Sequence, residues 1–221
     1  MEKVLVIAAH PDDELLGVAG TIARHVADGD EVTCVVCSEG ATTRYEQSAV
    51  NELQACGQRA AALLGVREIR FLGMRDQHLD AQPILDVIQA IEVVVRELTP
   101  TTVYTHHWGD VNRDHKVVNE AVMVACRPVG ESYPRSVLLF ETPSSTEWSW
   151  PDPATAFVPQ HFVDITSTVD RKLEAMACYT SELRAAPHPR SLEALRSRAA
   201  YWGQIVGRAY AEAFVVARHV R

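Results

Sequence analysis

The apolar run Val4-Leu5-Val6-Ile7 gives way, past Ala8-Ala9, to His10-Pro11-Asp12-Asp13-Glu14, one imidazole and three carboxylates within five residues. Such a run reads as a buried strand, and in an open α/β sheet ligands bind beyond the carboxyl ends of the strands. Imidazole and carboxylate placed there are donors for a divalent metal; the remaining donor has to come from elsewhere in the chain, and His115 is the candidate. Adjacent side chains diverge, so Asp12 and Asp13 can divide the work. One joins His10 on a metal while the other faces a water on that metal as general base. Both lie near a helix start, whose dipole favours their ionised forms. A plain helix N-cap also uses Asp, but it needs only one and leaves His10, Pro11 and Glu14 unexplained.

The second cluster is His106-His107-Trp108-Gly109-Asp110-Val111-Asn112-Arg113-Asp114-His115, which holds three of the nine histidines. It begins where an apolar strand, Thr101–Thr105, ends and finishes at a helix start. Taken alone it is also compatible with a polar surface loop. If the two strands run parallel, it falls on the same rim of the sheet as His10, and the two clusters can then build one site.

The elements that must hold these clusters alternate. Lys3–Ala9 reads as a strand and Asp13–Ala27 as a helix, with Leu15, Leu16, Val18, Ala19, Ile22 and Val26 near helical spacing. After the Asp28-Gly29-Asp30 turn, Glu31–Cys37 is a second strand, Ser38–Gln47 a polar loop and Ser48–Leu64 a helix stopped by Gly65. Glu68–Leu72 is a short strand, Pro83–Leu98 a helix closed by Thr99-Pro100, and His115–Cys126 a helix. Ser136–Glu141 and the shorter Phe162–Ile165 are strands, Val169–Tyr179 and Ser191–Val206 are helices, and Ala213–Val220 returns to the sheet. Such alternation predicts right-handed βαβ units: a Rossmann-like, three-layer αβα fold with a mostly parallel sheet. No repeat or linker divides the chain, so residues 1–221 are expected to form a single domain. Thr142–Gln160, rich in Pro, Ser and Thr but holding Trp148 and Trp150, reads as an ordered loop or lid; the two Trp side chains serve either as a wall for a ligand to stack on or as core.

Composition narrows the partners. Apolar content of 47% and charged content of 23% are those of an ordinary soluble globular chain. A net charge of −8 argues against nucleic acid and against anionic membranes, both of which call for a basic face. With no basic-then-apolar leader and no run long enough to span a bilayer, a cytoplasmic location is expected. The five scattered cysteines fit reduced thiols. Cys34 and Cys37 form a C-x-x-C, but on a strand residues three apart point to opposite faces and cannot grip one ion.

His10-Pro11-Asp12-Asp13-Glu14 with Gly17 behind it, together with Asn112-Arg113-Asp114-His115, resembles the two signatures of the LmbE/PIG-L family of zinc-dependent N-deacetylases. The likeness continues through the strand–helix order to about Cys126 and more loosely to the C-terminus. It implies that His10, Asp13 and His115 are ligands of zinc, for which ferrous iron is a possible substitute, and that Asp12 is the general base. It further implies that Asp114 orients its neighbours and that Arg44 and Asp76 meet the sugar. Thiol-pathway members carry a His where this chain has Asn112, which can donate one neutral hydrogen bond to the developing oxyanion but cannot be a cation. The remaining oxyanion work then passes to the metal or to His106 or His107, and His107 joins the candidate substrate contacts. The implied activity is removal of an N-acetyl group from an N-acetylglucosamine-type small molecule, and the resemblance is compatible with a homo-oligomer.

Other residues carry less. Glu14 bonds a ligand or steadies the helix start; Glu39 ends the second strand; His161, His188 and His219 read as structural or exposed; and Pro187-His188-Pro189-Arg190 ends one element, though such a loop can reach a site. Three rival readings remain. A dinucleotide-dependent oxidoreductase would need a Gly-rich turn where this chain has His-Pro-Asp-Asp. A metal-binding protein without turnover, and an amidase acting on a thiol conjugate or other non-sugar amide, stay open.

Overall fold

The computed structural model describes residues 1–40, 47–130 and 132–221. The chain runs β1 (Lys3–Ala8), α1 (Asp13–Ala27), β2 (Glu31–Ser38), α2 (Gln47–Leu64), β3 (Glu68–Met74), α3 (Ile84–Leu98), β4 (Thr102–His106), α4 (Arg113–Ala125) and β5 (Ser136–Phe140). It continues through β6 (His161–Asp164), α5 (Val169–Met176), α6 (Leu192–Ile205) and β7 (Ala211–His219), with single 3-10 turns at Leu79–Ala81 and Thr146–Trp148. The seven strands form one sheet in the order β3-β2-β1-β4-β5-β7-β6. β1 to β5 are mutually parallel, and β7 runs antiparallel to both β5 and β6, so the sheet is mixed but mostly parallel, as expected.

Strand pleating sends alternate side chains to opposite faces, and helices cover both. Val4, Val6 and Cys34 join a core with residues of α1, α2 and α5, whereas Leu5, Ile7 and Cys37 join one with residues of α3 and α4. Burial on both faces is why β1 and β2 read as nearly continuous apolar runs. It also parts Cys34 from Cys37, and all five cysteines are free. No described helix is long and apolar enough to cross a membrane.

Two details place the site. The strand order reverses between β1 and β4, so the chain leaves these neighbouring strands in opposite directions and a cleft opens beyond their carboxyl ends. Gly17 lets α1 rest on the end of β5: a Cβ there would lie 2.4 Å from Phe140 Cδ2 and 3.0 Å from the Glu141 carbonyl oxygen.

α4 starts two residues before the expected His115, because Asn112 caps it. The Asn112 Oδ1 accepts the Asp114 N–H at 2.9 Å, which puts His115 inside the first helical turn. Thr142–Gln160 is an ordered loop, and its tryptophans are not core: Trp148 is 56% and Trp150 85% exposed.

Candidate active site

Beyond β1 the chain turns sharply, and Asp12 adopts φ 102°, a left-handed conformation costly to any residue but Gly. Its carbonyl oxygen accepts the Leu15 and Leu16 N–H groups and so opens α1, but its side chain makes no cap bond. Asp12 therefore caps α1 through its backbone alone, and its carboxylate lines the cleft and accepts from Arg190 Nη1 at 3.0 Å. Glu14 turns inward, accepting the Asp12 N–H at 3.2 Å and the Tyr179 hydroxyl at 3.3 Å.

The loop after β4 brings the second cluster to the same rim. His10 Nδ1, Asp13 Oδ2 and His115 Nε2 form a triangle with all three sides 3.2 Å long. Tetrahedral bonds of about 2.0–2.1 Å from nitrogen and oxygen donors to one ion place the donors about 3.3 Å apart. The far nitrogen of each imidazole meets a carboxylate: His10 Nε2 lies 3.2 Å from Asp114 Oδ2, and His115 Nδ1 lies 3.1 Å from Asp110 Oδ2. Both carboxylates are anchored in turn. Asp114 accepts the Leu79 N–H at 3.1 Å. Asp110 accepts the Asn112 N–H and the Thr146 hydroxyl, each at 2.8 Å, and a short bond from the Ser145 hydroxyl. Carboxylates behind imidazoles set the tautomer and aim of the ring.

Asp12, Asp13, Glu14, Asp110 and Asp114 are all buried. Among the described residues, Arg190 is the one guanidinium in hydrogen-bond contact with any of them. Burial pushes the carboxyls of Asp12 up to about 7, against the pull of Arg190, and of Glu14 up to about 8. Burial also opposes charge on the two imidazoles, yet bonds to Asp114 and Asp13 lift His10 to about 10, and Asp13 and Asp110 lift His115 to about 9. The cluster is thus short of positive charge, and its imidazoles meet the deficit by holding protons. A divalent cation would meet it instead. Asp13 Oδ1, buried without a hydrogen-bond partner, is a further acceptor left for such an ion.

The cleft beside the triangle has a volume of about 560 Å³ and a mostly polar lining that includes His10, Asp12, Asp76, Asn112, Asp114 and His115. Of the residues expected from sequence to form a site, these six and Asp13 come together. His107 does not: it is fully buried, takes the Gly109 N–H on Nδ1 at 3.0 Å, and packs on Trp108 and Phe157. Its neighbour His106 is also turned inward. His106 Nε2 accepts the Ala9 N–H at 2.9 Å, so the ring proton sits on Nδ1, 3.1 Å from the Thr142 hydroxyl. Burial and the adjacent His115 keep this ring neutral, and it stacks on His115 at 4.0 Å. Neither histidine reaches the cleft to serve an oxyanion. Arg44 lies outside the described residues. The sequence assigns no role to Asp110, which stands within the second cluster, and for Arg190 it shows only a Pro-bounded loop before a helix that can reach a site. That loop does reach the cleft, which His188 lines beside Trp148, their rings 5.8 Å apart.

Fold and site together define an α/β protein with a His/Asp cluster fit for a divalent metal at its topological switch point. The family model described as PIG-L, GlcNAc-PI de-N-acetylase, matches residues 5–126, and the chain belongs to that family. It is 31% identical over 173 residues to the uncharacterized deacetylase YaiS of Escherichia coli, a match covering 73% of this chain and 81% of that protein. It is 30% identical over 230 residues to the diacetylchitobiose deacetylase of Thermococcus kodakarensis, covering 96% and 82%. Among solved structures, the conserved protein TT1542 from Thermus thermophilus superposes with a TM-score of 0.81 at 25% identity, over 100% of this chain and 97% of that one.

Proposed function

We propose that this protein is a metal-dependent N-deacetylase that hydrolyses the acetamide of an N-acetylglucosamine-type sugar or sugar conjugate. The observation that carries the reading is the equal-sided donor triangle with an uncapped carboxylate, Asp12, beside it on the cleft. Support for the substrate class comes from family membership, from the deacetylase relative that acts on diacetylchitobiose, and from the polar lining of the cleft.

His10, Asp13 and His115 would hold the ion, and two imidazoles with one carboxylate suit zinc, with ferrous iron the alternative. When bound, such an ion polarises the amide carbonyl and acidifies water. Asp12 takes the proton of the attacking water and returns it to the departing nitrogen, so that the C–N bond breaks to give acetate and a free amine. Asp114 and Asp110, beside the far nitrogens of His10 and His115, would set the tautomers that leave the other nitrogens to bind the ion. Asn112 lines the cleft and spends its Oδ1 on the helix cap, so its Nδ2 would be the atom to donate to the substrate carbonyl oxygen. Asp76, which lines the cleft with an oxygen 3.6 Å from His10 Nε2, would meet a sugar hydroxyl.

The deciding experiment measures metal content of the purified protein together with free-amine release from N-acetylglucosamine and N,N′-diacetylchitobiose. About one zinc or iron per chain, with release abolished by chelation and restored by metal, is the expected result. Metal without release from any acetamido sugar would redirect the reading to a non-sugar amide or to a site without turnover. No metal after reconstitution would remove the triangle from the mechanism. A second expectation concerns Asp110. Asp110→Asn lowers metal affinity by about 10- to 100-fold, the usual cost of losing a carboxylate behind a ligating imidazole. Competition with a chromophoric chelator measures it, and unchanged affinity would release Asp110 from that role.

A further inference from the structure

Arg190 is 178 positions from Asp12 in sequence and 3.0 Å from it in space. Its guanidinium has three fixed partners: Nη1 donates to Asp12 Oδ2 and to Glu182 Oε2 at 3.2 Å, and Nε donates to the Ser144 hydroxyl at 2.8 Å. The backbone beneath it is equally constrained. The Arg190 N–H goes to His188 Nδ1 at 3.1 Å, and the next residue, Ser191, caps α6 through the Ala194 N–H at 3.1 Å. Asp12 depends on this contact. Its carboxylate is buried beside those of Asp13 and Glu14, and among the described residues Arg190 is its one hydrogen-bond partner.

We propose that Arg190 is a positioning residue for Asp12, fixing the direction of the base in the cleft and offsetting its charge. The proposal rests on the reading of Asp12 as the general base. A planar guanidinium with three partners constrains a carboxylate in a way a point charge cannot, so lysine is an incomplete substitute. Arg190 also joins two parts of the cleft. The donor triangle and Asp12 lie within the span matched by the family model, residues 5–126, whereas Ser144, Trp148, Glu182, Arg184, His188 and Arg190 form a wall beyond it. Through Arg190 this outer wall acts on the rate of the chemical step and not only on substrate affinity.

The test compares Arg190→Ala and Arg190→Lys with the metal-loaded wild type, using amine release from N-acetylglucosamine and N,N′-diacetylchitobiose. Arg190→Ala is expected to lose about 10- to 100-fold in kcat, the scale set by misplacing a catalytic group, with KM within about threefold of wild type. Metal content stays at the wild-type level. Arg190→Lys recovers part of kcat, and guanidinium added at non-denaturing concentration raises the alanine variant several-fold while leaving wild type unchanged. An unchanged kcat, or a loss confined to KM, overturns the proposal, the latter by making Arg190 a substrate contact.

Thermal unfolding of the metal-free protein tests the contact without any turnover. Arg190→Ala leaves Asp12 buried without its partner and lowers Tm by about 5–10 °C, and Asp12→Asn in the same chain restores most of that. Strictly additive shifts overturn the coupling. Should the alanine variant fail to fold, Arg190→Lys with and without Asp12→Asn gives the same cycle at smaller amplitude. If wild type releases no amine from any acetamide, the deacetylase reading fails by itself, and the unfolding cycle still decides whether Arg190 positions Asp12.

Discussion

Asp12→Asn is expected to lose about 10²- to 10⁴-fold in kcat while its metal content stays at the wild-type level. The asparagine keeps the size of the side chain and can still accept from Arg190, but it cannot take a proton from water. Metal stays because the three converging donor atoms belong to His10, Asp13 and His115, and Asp12 contributes none of them. The fold survives as well. Asp12 makes no side-chain cap bond, and removing a buried negative charge beside Asp13 and Glu14 relieves repulsion. Steady-state kinetics with metal analysis and circular dichroism on one preparation checks all three statements. Turnover near wild type would take the base role from Asp12 and return it to the choice between the paired carboxylates.

His115→Ala produces the opposite pattern: metal and activity vanish together. This imidazole closes the donor triangle through Nε2, and its ring also separates two buried carboxylates, 3.2 Å from Asp13 Oδ2 and 3.1 Å from Asp110 Oδ2. Its loss leaves Asp13 and Asp110 facing a void with less positive charge between them, and it removes the stacking partner of His106 at 4.0 Å. Metal-free His115→Ala therefore also unfolds at a lower temperature than metal-free wild type. Dialysis against a weak chelator followed by metal analysis reads the first effect, and calorimetry of the metal-free forms reads the second. Full metal retention would remove His115 from the ligand set, whatever happened to activity.

The two expectations separate because neighbouring acids and imidazoles here have different surroundings. Asp13 lies under three imidazoles: burial opposes its ionisation, but the charges and bonds of His115 and His10 hold its carboxyl well below the usual range. Asp12, one residue earlier, points into the cleft against an arginine, and burial holds its carboxyl above that range. Two adjacent aspartates thus take different parts through their environments alone.

Sequence by itself determined the frame and the centre of this site. Alternating apolar runs and amphipathic helices dictated a mostly parallel sheet, and five consecutive residues after β1 together with four before and at the start of α4 contained all three triangle donors and the uncapped carboxylate. Those positions were legible because the geometry of a strand end is local: whatever follows β1 and β4 must emerge on one rim. Tertiary structure decided where the surrounding side chains face. His107 and Asp110 stand in the same ten-residue stretch, yet one is folded under Phe157 and the other is drawn to His115 by Ser145 and Thr146. That outcome depends on Gly109, where a Cβ would lie 1.8 Å from the Thr155 carbonyl oxygen, so that the Thr142–Gln160 loop can close over the β4 turn. Arg190 was still less legible, because a contact spanning 178 positions leaves no period or spacing in the chain. It exists only once α1 and α6 have packed on the same face of the sheet and their ends converge on one cleft.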